Sequence, residues 1–187
     1  MVHVCIAQYN ENTDWCSNIK YPYTIISKEK LGINIGNEAS TYLHYIIDNY
    51  DNLDDYIVFV HAHRTSYHMK GNTDDIINTL VFDKEYFNIA DAPVYSVVGF
   101  PNGYKILKDC EEPIGQIIGV KIITEDVLYK TSGTFYVKRE NILRHSKDVY
   151  KKLLEYIYSH PIPWYTGYAF EYTYHIIFTG DLVDHSY

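Results

Sequence analysis

Tyr56-Ile57-Val58-Phe59-Val60-His61-Ala62-His63-Arg64 is an apolar run that ends abruptly in a His-x-His pair and a cation. Its length and its β-branched and aromatic content are those of a buried strand. The histidines are therefore expected at its carboxyl end, where open α/β sheets hold their ligands. Side chains two apart on a strand point the same way, which aims His61 and His63 at one place while Ala62 packs backward. If the chain after His63 folds back, His68 supplies a third imidazole, and neutral imidazole suits zinc, manganese, iron or copper better than magnesium. Arg64 then adds a fixed charge for a phosphate or carboxylate. The plain alternative is that these histidines hydrogen-bond locally at a strand end and bind nothing.

Toward the amino terminus, a helix precedes this strand: Asn37 can cap it, Glu38 suits its positive end, and Leu43, Ile46, Ile47 and Tyr50 repeat on one face. Residues 2–7 and 21–26 read as strands, stopped by Gln8-Tyr9-Asn10-Glu11-Asn12 and by Ser27-Lys28-Glu29-Lys30. Beyond the histidines, 74–80 and 84–89 read as short helices, 94–98 as a strand, Phe100-Pro101-Asn102-Gly103 as a turn, and 117–123 and 133–137 as strands. Lys138-Arg139-Glu140 begins a helical stretch. Val149, Leu153, Tyr156 and Ile157 make 147–158 an amphipathic helix, ended by His160-Pro161-Ile162-Pro163. A last helix over 168–178 carries Phe170, Tyr174, Ile177 and Phe178 on one face, with Gly180 as its stop. No repeat or linker intervenes, so the expectation is one α/β domain over 1–187, a mixed, mostly parallel, Rossmann-like sheet flanked by helices.

Composition bounds the function. With 47% hydrophobic and 21% charged residues the chain can bury a real core. A formal charge of -8 without any Lys/Arg run argues against nucleic-acid or anionic-membrane binding. No apolar run approaches the ~20 residues of a membrane span, and the first residues lack the basic start and long apolar core of a signal peptide. Cys5, Cys16 and Cys110 are odd in number and lack metal-type spacing, which suits a reducing compartment and makes the cytoplasm the expected location. The many tyrosines suit an AT-rich genome or carbohydrate stacking.

Glu171 and His175 lie four apart on the last helix and are neighbours there. Glu171 sits beside Phe170 and one heptad before Phe178, at the edge of the buried stripe. Desolvation there raises a carboxyl's pKa and suits a general base or metal partner; a solvated helix-face ion pair is the commoner arrangement. Gln8, Tyr9, Asn10 and Glu11 end the first strand, and Asn34-Ile35-Gly36-Asn37-Glu38 opens the first long helix. Amides and a helix amino terminus are natural partners for a base, ribose or phosphate, and Tyr9 can stack; each is also ordinary turn and cap chemistry. No phosphate-cradling Gly-rich signature, Ser-His-Asp order or CxxC pair is present.

Together these segments resemble a type A glycosyltransferase fold. Val4-Cys5-Ile6-Ala7-Gln8-Tyr9-Asn10-Glu11-Asn12 is similar to the strand-then-YNE opening of family 2 nucleotide-sugar transferases, and Ile57-Val58-Phe59-Val60-His61-Ala62-His63 lies where those carry Asp-x-Asp. The resemblance is closest to a small, uncharacterised family of short proteins from fungi, bacteria and large algal viruses. They share YNE, a helix of NIG-E-A-TYL-YII-NY type, a VF-HAHR--H strand and a late FE-T--IIF helix, covering this chain from Val4 to Gly180.

The resemblance implies a donor, most simply a UDP-sugar, across the sheet's carboxyl edge, a divalent cation (Mn or Zn) near its diphosphate, and a glycan acceptor. It implies His61 and His63 at the metal position, with His68 the third ligand if the loop folds back. Gln8, Tyr9, Asn10, Glu11, Lys28, Asn34, Gly36, Glu38, Arg64, Gly133 and Thr134 would lie around the donor, with Glu171 and His175 as catalytic residues. A location in the host cytoplasm is implied for a viral member. Replacing Asp-x-Asp by His61-x-His63 removes two negative charges, so a softer metal, or a metal-free site in which Arg64 and the histidines neutralise phosphate, is equally consistent. The leading expectation is inverting sugar transfer with Glu171 as base. The alternatives are a zinc hydrolase built on His61, His63, His68 and His175, and a degenerate module that binds nucleotide or glycan without turnover.

Overall fold

The computed structural model describes residues 1–31, 35–130 and 132–186. In chain order, β1 is Val2–Gln8, β2 Tyr23–Ser27, α1 Lys28–Leu31, α2 Asn37–Asn49, β3 Tyr56–His61, α3 Thr73–Thr79, β4 Tyr86–Asn88, β5 Val94–Ser96 and α4 Pro101–Ile118. There follow β6 Leu128–Lys130, β7 Phe135–Lys138, α5 Arg139–Ile142, α6 Lys147–Ser159 and α7 Pro163–Thr179. Strands β2-β1-β3-β7-β4 form one five-stranded sheet, and β5 pairs with β6 in a separate ribbon. The molecule is thus an α/β domain with a mixed sheet flanked by helices.

The sheet is less parallel than expected. β1 runs parallel to both β2 and β3, but β7 is reversed and sits antiparallel between β3 and β4. That reversal matters for the site. Phe59 faces Phe135 across the β3·β7 ladder, so continuing the register brings Thr134 level with Val60 and Gly133 level with His61. The segment before β7 therefore joins the carboxyl ends of β1, β2 and β3 at one edge.

Alternation along β3 divides the core. Ile57 and Phe59 face a large cluster with Tyr42, Leu43 and Ile46 of α2, Leu107 and Ile114 of α4, Leu153 of α6 and Phe170 of α7. Val58, Val60 and Ala62 face the opposite, smaller cluster, built on Trp15, Cys16 and Ile77. His61 shares the parity of Phe59, so it points to the side covered by α2 and α7. Phe59 is fully buried, and truncating it to Ala should cost about 3–5 kcal/mol.

Three expectations from the middle of the chain are corrected. Residues 84–89 form no helix: Tyr86–Asn88 is a strand whose Tyr86 pairs with Val137, tertiary pairing having overridden local preference. Phe100-Pro101-Asn102-Gly103 is not a turn but the start of α4. Pro101 occupies the first turn, where its missing N–H costs nothing, and Ile106, Leu107, Cys110, Ile114 and Ile118 form its buried stripe. Residues 117–123 are not a strand either. Ile117 and Ile118 finish α4, and Gly119 stops it with φ 72°, a left-handed conformation open to glycine. The last helix begins earlier than expected, at Pro163, and ends at Gly180 as expected, with φ 80°.

Candidate functional site

Five segments meet at the carboxyl edge of the sheet: the end of β1, α1, the first turn of α2, the end of β3 with its following loop, and the turn before β7. α7 crosses above them. Gly36, not Asn37, holds the N-cap position of α2, with φ 74°. A Cβ there would fall 2.4 Å from Ile157 Cγ2, so Gly36 is a packing and turn residue and not a ligand contact. Asn37 instead starts the helix and lies against Gly167 of α7, where an added Cβ would come within 2.5 Å of Asn37 Nδ2. This close approach of α2 and α7 brings Glu38 and Glu171 to one cavity.

His61, at the end of β3, projects under that crossing. Its ring lies 5.5 Å from His68 and 6.3 Å from His63, centre to centre. The loop after His63 thus folds back, which is the condition under which His68 joins the pair. His61 Nε2 and both ring nitrogens of His68 are buried without a hydrogen-bond partner. Such orphaned polar atoms are costly unless something binds them. Burial lowers the pKa of His61 against the opposing pull of Glu38, and burial with the His61 ring nearby lowers His68 to about 4. Both are neutral imidazoles at neutral pH. A Cβ on Gly133 would lie 3.8 Å from His61 Nε2 and 3.9 Å from Glu38 Oε2, so this glycine leaves open the space between imidazole and carboxylate.

Glu171 occupies the far wall. Its Oε1 accepts the backbone N–H of Ser132 at 2.7 Å, and Ser132 holds a left-handed φ of 94°, unusual for a residue with a side chain. Tyr42 steadies the same turn by donating its hydroxyl to the Gly133 carbonyl at 2.7 Å. Burial raises the Glu171 pKa, the Ser132 hydrogen bond opposes the rise, and the negative charge of Glu38 adds to it.

Two neighbouring cavities result. One, of about 400 Å³, is walled by His61, His63, His68, Glu38, Gly133 and Glu171. The other, of about 170 Å³, adds Gln8, Tyr9, Glu11 and Lys28, and shares Asn37, Glu38, His61 and His63 with the first. Within it, Glu11 Oε1 lies 3.7 Å from His63 Nε2, and Glu11 Oε2 accepts the Tyr9 N–H. Lys28 is buried and donates to the Asn37 carbonyl at 2.6 Å; burial lowers its pKa while Glu38 and Glu11 oppose the fall.

Several expected contacts are corrected. Arg64 turns away, forking both oxygens of buried Asp74 at 3.1 and 3.0 Å, because an unpaired buried carboxylate would be far costlier than a solvated arginine. His175 lies in a different place from Glu171, buried with Nε2 at 3.2 Å from the Leu182 carbonyl and walling a separate cavity with Asp181 and His185. Thr134 is buried behind the turn, its carbonyl taking the Ile89 N–H, and Asn10 is exposed outside both cavities. Asn34 falls outside the described residues. Ser66 and Tyr168 line the larger cavity and were not singled out from sequence. Tyr168 stands three residues before Glu171 on α7, a helical spacing that places it on the same face.

The donor set for a metal is a mixed one, two unpartnered imidazoles beside carboxylates. Among the described residues, however, no three His, Cys, Asp or Glu side chains stand close enough to hold an ion as they are placed. His61 and Glu38, facing each other across Gly133, are the pair best disposed to take one.

Fold and site together define a single-domain α/β protein with a polar cleft at the carboxyl edge of a mixed sheet. Residues 4–88 and 107–186 match the family described as protein of unknown function DUF3431, and the chain belongs to that family. No curated protein and no solved structure matches it. Among the described residues no helix is long and apolar enough to cross a membrane.

Proposed function

We propose that the protein transfers a sugar from a nucleoside diphosphate donor to a hydroxyl of a glycan. One observation carries this reading: a desolvated carboxyl, Glu171, shares a cavity with the histidine cluster at the end of β3, and Asn37, Glu38, His61 and His63 of that cavity also wall a second one at the end of β1. The second cavity offers an amide, an exposed phenol and a buried ammonium, Gln8, Tyr9 and Lys28, to a nucleoside and its phosphates. The first is large enough for a sugar and an attacking hydroxyl.

In the proposed reaction Glu171 takes the proton of the acceptor hydroxyl as its oxygen bonds to the anomeric carbon. The bond from that carbon to the diphosphate oxygen breaks, and the nucleoside diphosphate leaves with the electron pair. The raised pKa of Glu171 makes it a stronger base than an exposed carboxylate, and the Ser132 N–H holds one oxygen so that the other meets the proton. Lys28 supplies the positive charge that Arg64, tied to Asp74, does not. A divalent cation would contribute further charge neutralisation at the diphosphate, with His61 and Glu38 as its holders. UDP is the favoured nucleotide, inversion the favoured outcome, and the free, buried cysteines fit a reducing compartment such as the cytoplasm.

Nucleotide sugars screened by thermal shift, with and without manganese or zinc, test donor class and cation need together, since a ligand of the native state raises the melting temperature. A rise with one nucleotide sugar but not with its free monosaccharide is expected. No shift with any nucleotide or nucleotide sugar would end the reading.

The orphaned nitrogens of His61 and His68 favour a second reading, a zinc hydrolase. Zinc retained stoichiometrically in the absence of nucleotide is the result that would move the assignment there.

A further inference from the structure

A cavity of about 640 Å³, larger than the one that holds the histidines, stands beside it. It is a groove between the start of α4 and the start of α7, with Ile106, Tyr165 and Tyr172 as its floor and Trp164, Tyr168 and Asn102 on its rim. Tyr168 lines this groove and the Glu171 cavity alike. The two spaces adjoin at that residue, which walls both.

The groove's chemistry is specific. Trp164 and Tyr168 are 53% and 42% exposed, large apolar faces left in water. They meet nearly edge to face, ring centres 5.9 Å apart at 86°, so the ring that presents its edge keeps both of its faces clear of the other. Their orientation is fixed from beneath: Tyr165 packs against Trp164 at 5.3 Å and donates its hydroxyl to Asp109 Oδ2 at 2.9 Å. Gly103 leaves room for the Tyr172 hydroxyl, which a Cβ there would approach to 2.9 Å. Around these rings stand an amide, an ammonium and a carboxylate, from Asn102, Lys105 and Asp109. The opposite charges of Lys105 and Asp109 cancel, so the rim offers hydrogen bonds without selecting an ion.

Rigid exposed aromatic faces bordered by planar hydrogen-bonding groups suit a ligand with apolar C–H faces and a hydroxyl-rich edge. We infer that the groove holds a neutral oligosaccharide, seated on Trp164 and Tyr168, as the acceptor whose end reaches Glu171; this assignment rests on the transferase reading above. Geometry supports the direction. Trp164, Tyr168 and Glu171 follow one another at helical spacings of four and three residues on α7, which places them along one stripe about 10 Å long. A chain of sugar rings lying on that stripe presents its terminal hydroxyl to the carboxyl.

Trp164 is itself the reporter, because the other tryptophan, Trp15, is buried in the opposite core. The full chain should be titrated with neutral tetrasaccharides of xylose, glucose, mannose and N-acetylglucosamine while Trp emission is followed, with calorimetry in parallel. A saturable change with at least one of them is expected. Trp164→Ala should weaken that binding about tenfold, the effect of losing one aromatic contact, and Trp164→Phe should lie between. Because Trp164 is exposed, neither change should lower the melting temperature, and the shift produced by a nucleotide sugar should be the same in all three proteins. Donor binding with no response to any of the four sugars would overturn the groove assignment and leave the transferase reading standing. Sugar binding lost in Trp164→Ala, with no donor binding, would support the groove as a glycan site and remove the transferase reading. Trp164-dependent self-association in sugar-free buffer would give the groove to a second copy of the chain and overturn the proposal.

Discussion

Glu171 and Ser132, 39 residues apart in sequence, are joined by a 2.7 Å hydrogen bond from the Ser132 backbone N–H to the Glu171 carboxyl. It ties α7 to the turn before β7 and fixes one oxygen of a carboxyl that burial has made more basic. The same turn carries Gly133, whose missing side chain leaves the space between His61 and Glu38 open. A single local conformation thus sets both walls of the cleft.

Glu171→Gln keeps an oxygen for the Ser132 N–H and removes the base. Transfer should fall by about 10²–10⁴-fold, while the donor-induced thermal shift stays intact. Wild-type turnover in this variant would take the role of base away from Glu171. Because the Glu171 pKa lies above its ordinary 4.5, the acid limb of the wild-type kcat/KM profile should fall above the range of an exposed carboxylate.

The histidine cluster makes stability depend on pH in the opposite sense to a raised carboxyl. His61 and His68 bind protons less readily folded than unfolded, His68 titrating at about 4 instead of 6.5. Their contribution is complete above pH 6.5 and is lost as the pH falls toward 4, where the unfolded chain takes up protons that the native state refuses. The urea midpoint should decline across that window. His68→Gln should flatten the decline, and an unchanged slope would show that the cluster is not what titrates.

Arg64 serves Asp74 and not a phosphate. Arg64→Ala leaves the buried carboxylate with Asn18 as its remaining side-chain hydrogen-bond donor. A loss of about 1–3 kcal/mol in urea unfolding is expected, with the affinity for a nucleotide sugar unaltered. A marked loss of donor affinity at unchanged stability would return Arg64 to the ligand.

Gly36→Ala places a side chain in a left-handed backbone and against Ile157 at 2.4 Å. The backbone should cost about 1–2 kcal/mol and the overpacking about 1–3 kcal/mol, read from chemical denaturation. Combining it with Ile157→Ala should recover part of the loss, since the added methyl then has room.

Much of the first third was legible because local rules and tertiary placement agree there. The apolar run into His61 could only be a buried strand, and strand parity by itself sent Ala62 to one core and His61 to the other. The middle was not legible. Pro101 and Gly103 read as a turn although they open an 18-residue helix, because a proline costs nothing in a helix's first turn and a glycine was needed beneath Tyr172. Tyr86–Asn88 became a strand only by pairing with β7.

The sequence by itself determined an α/β domain, a histidine pair at a strand end and a carboxylate on the last helix, since periodicity and residue chemistry are local properties. Only the tertiary structure decided which of these meet. It brought Glu38, His61, His68 and Glu171 to one cleft, sent Arg64 to Asp74 and put His175 in another cavity. The reason is physical: a reversed β7 carries the turn at Ser132 to the edge where β1 and β3 end, and Gly167 lets α7 cross the start of α2 close enough for both carboxyls to share that space.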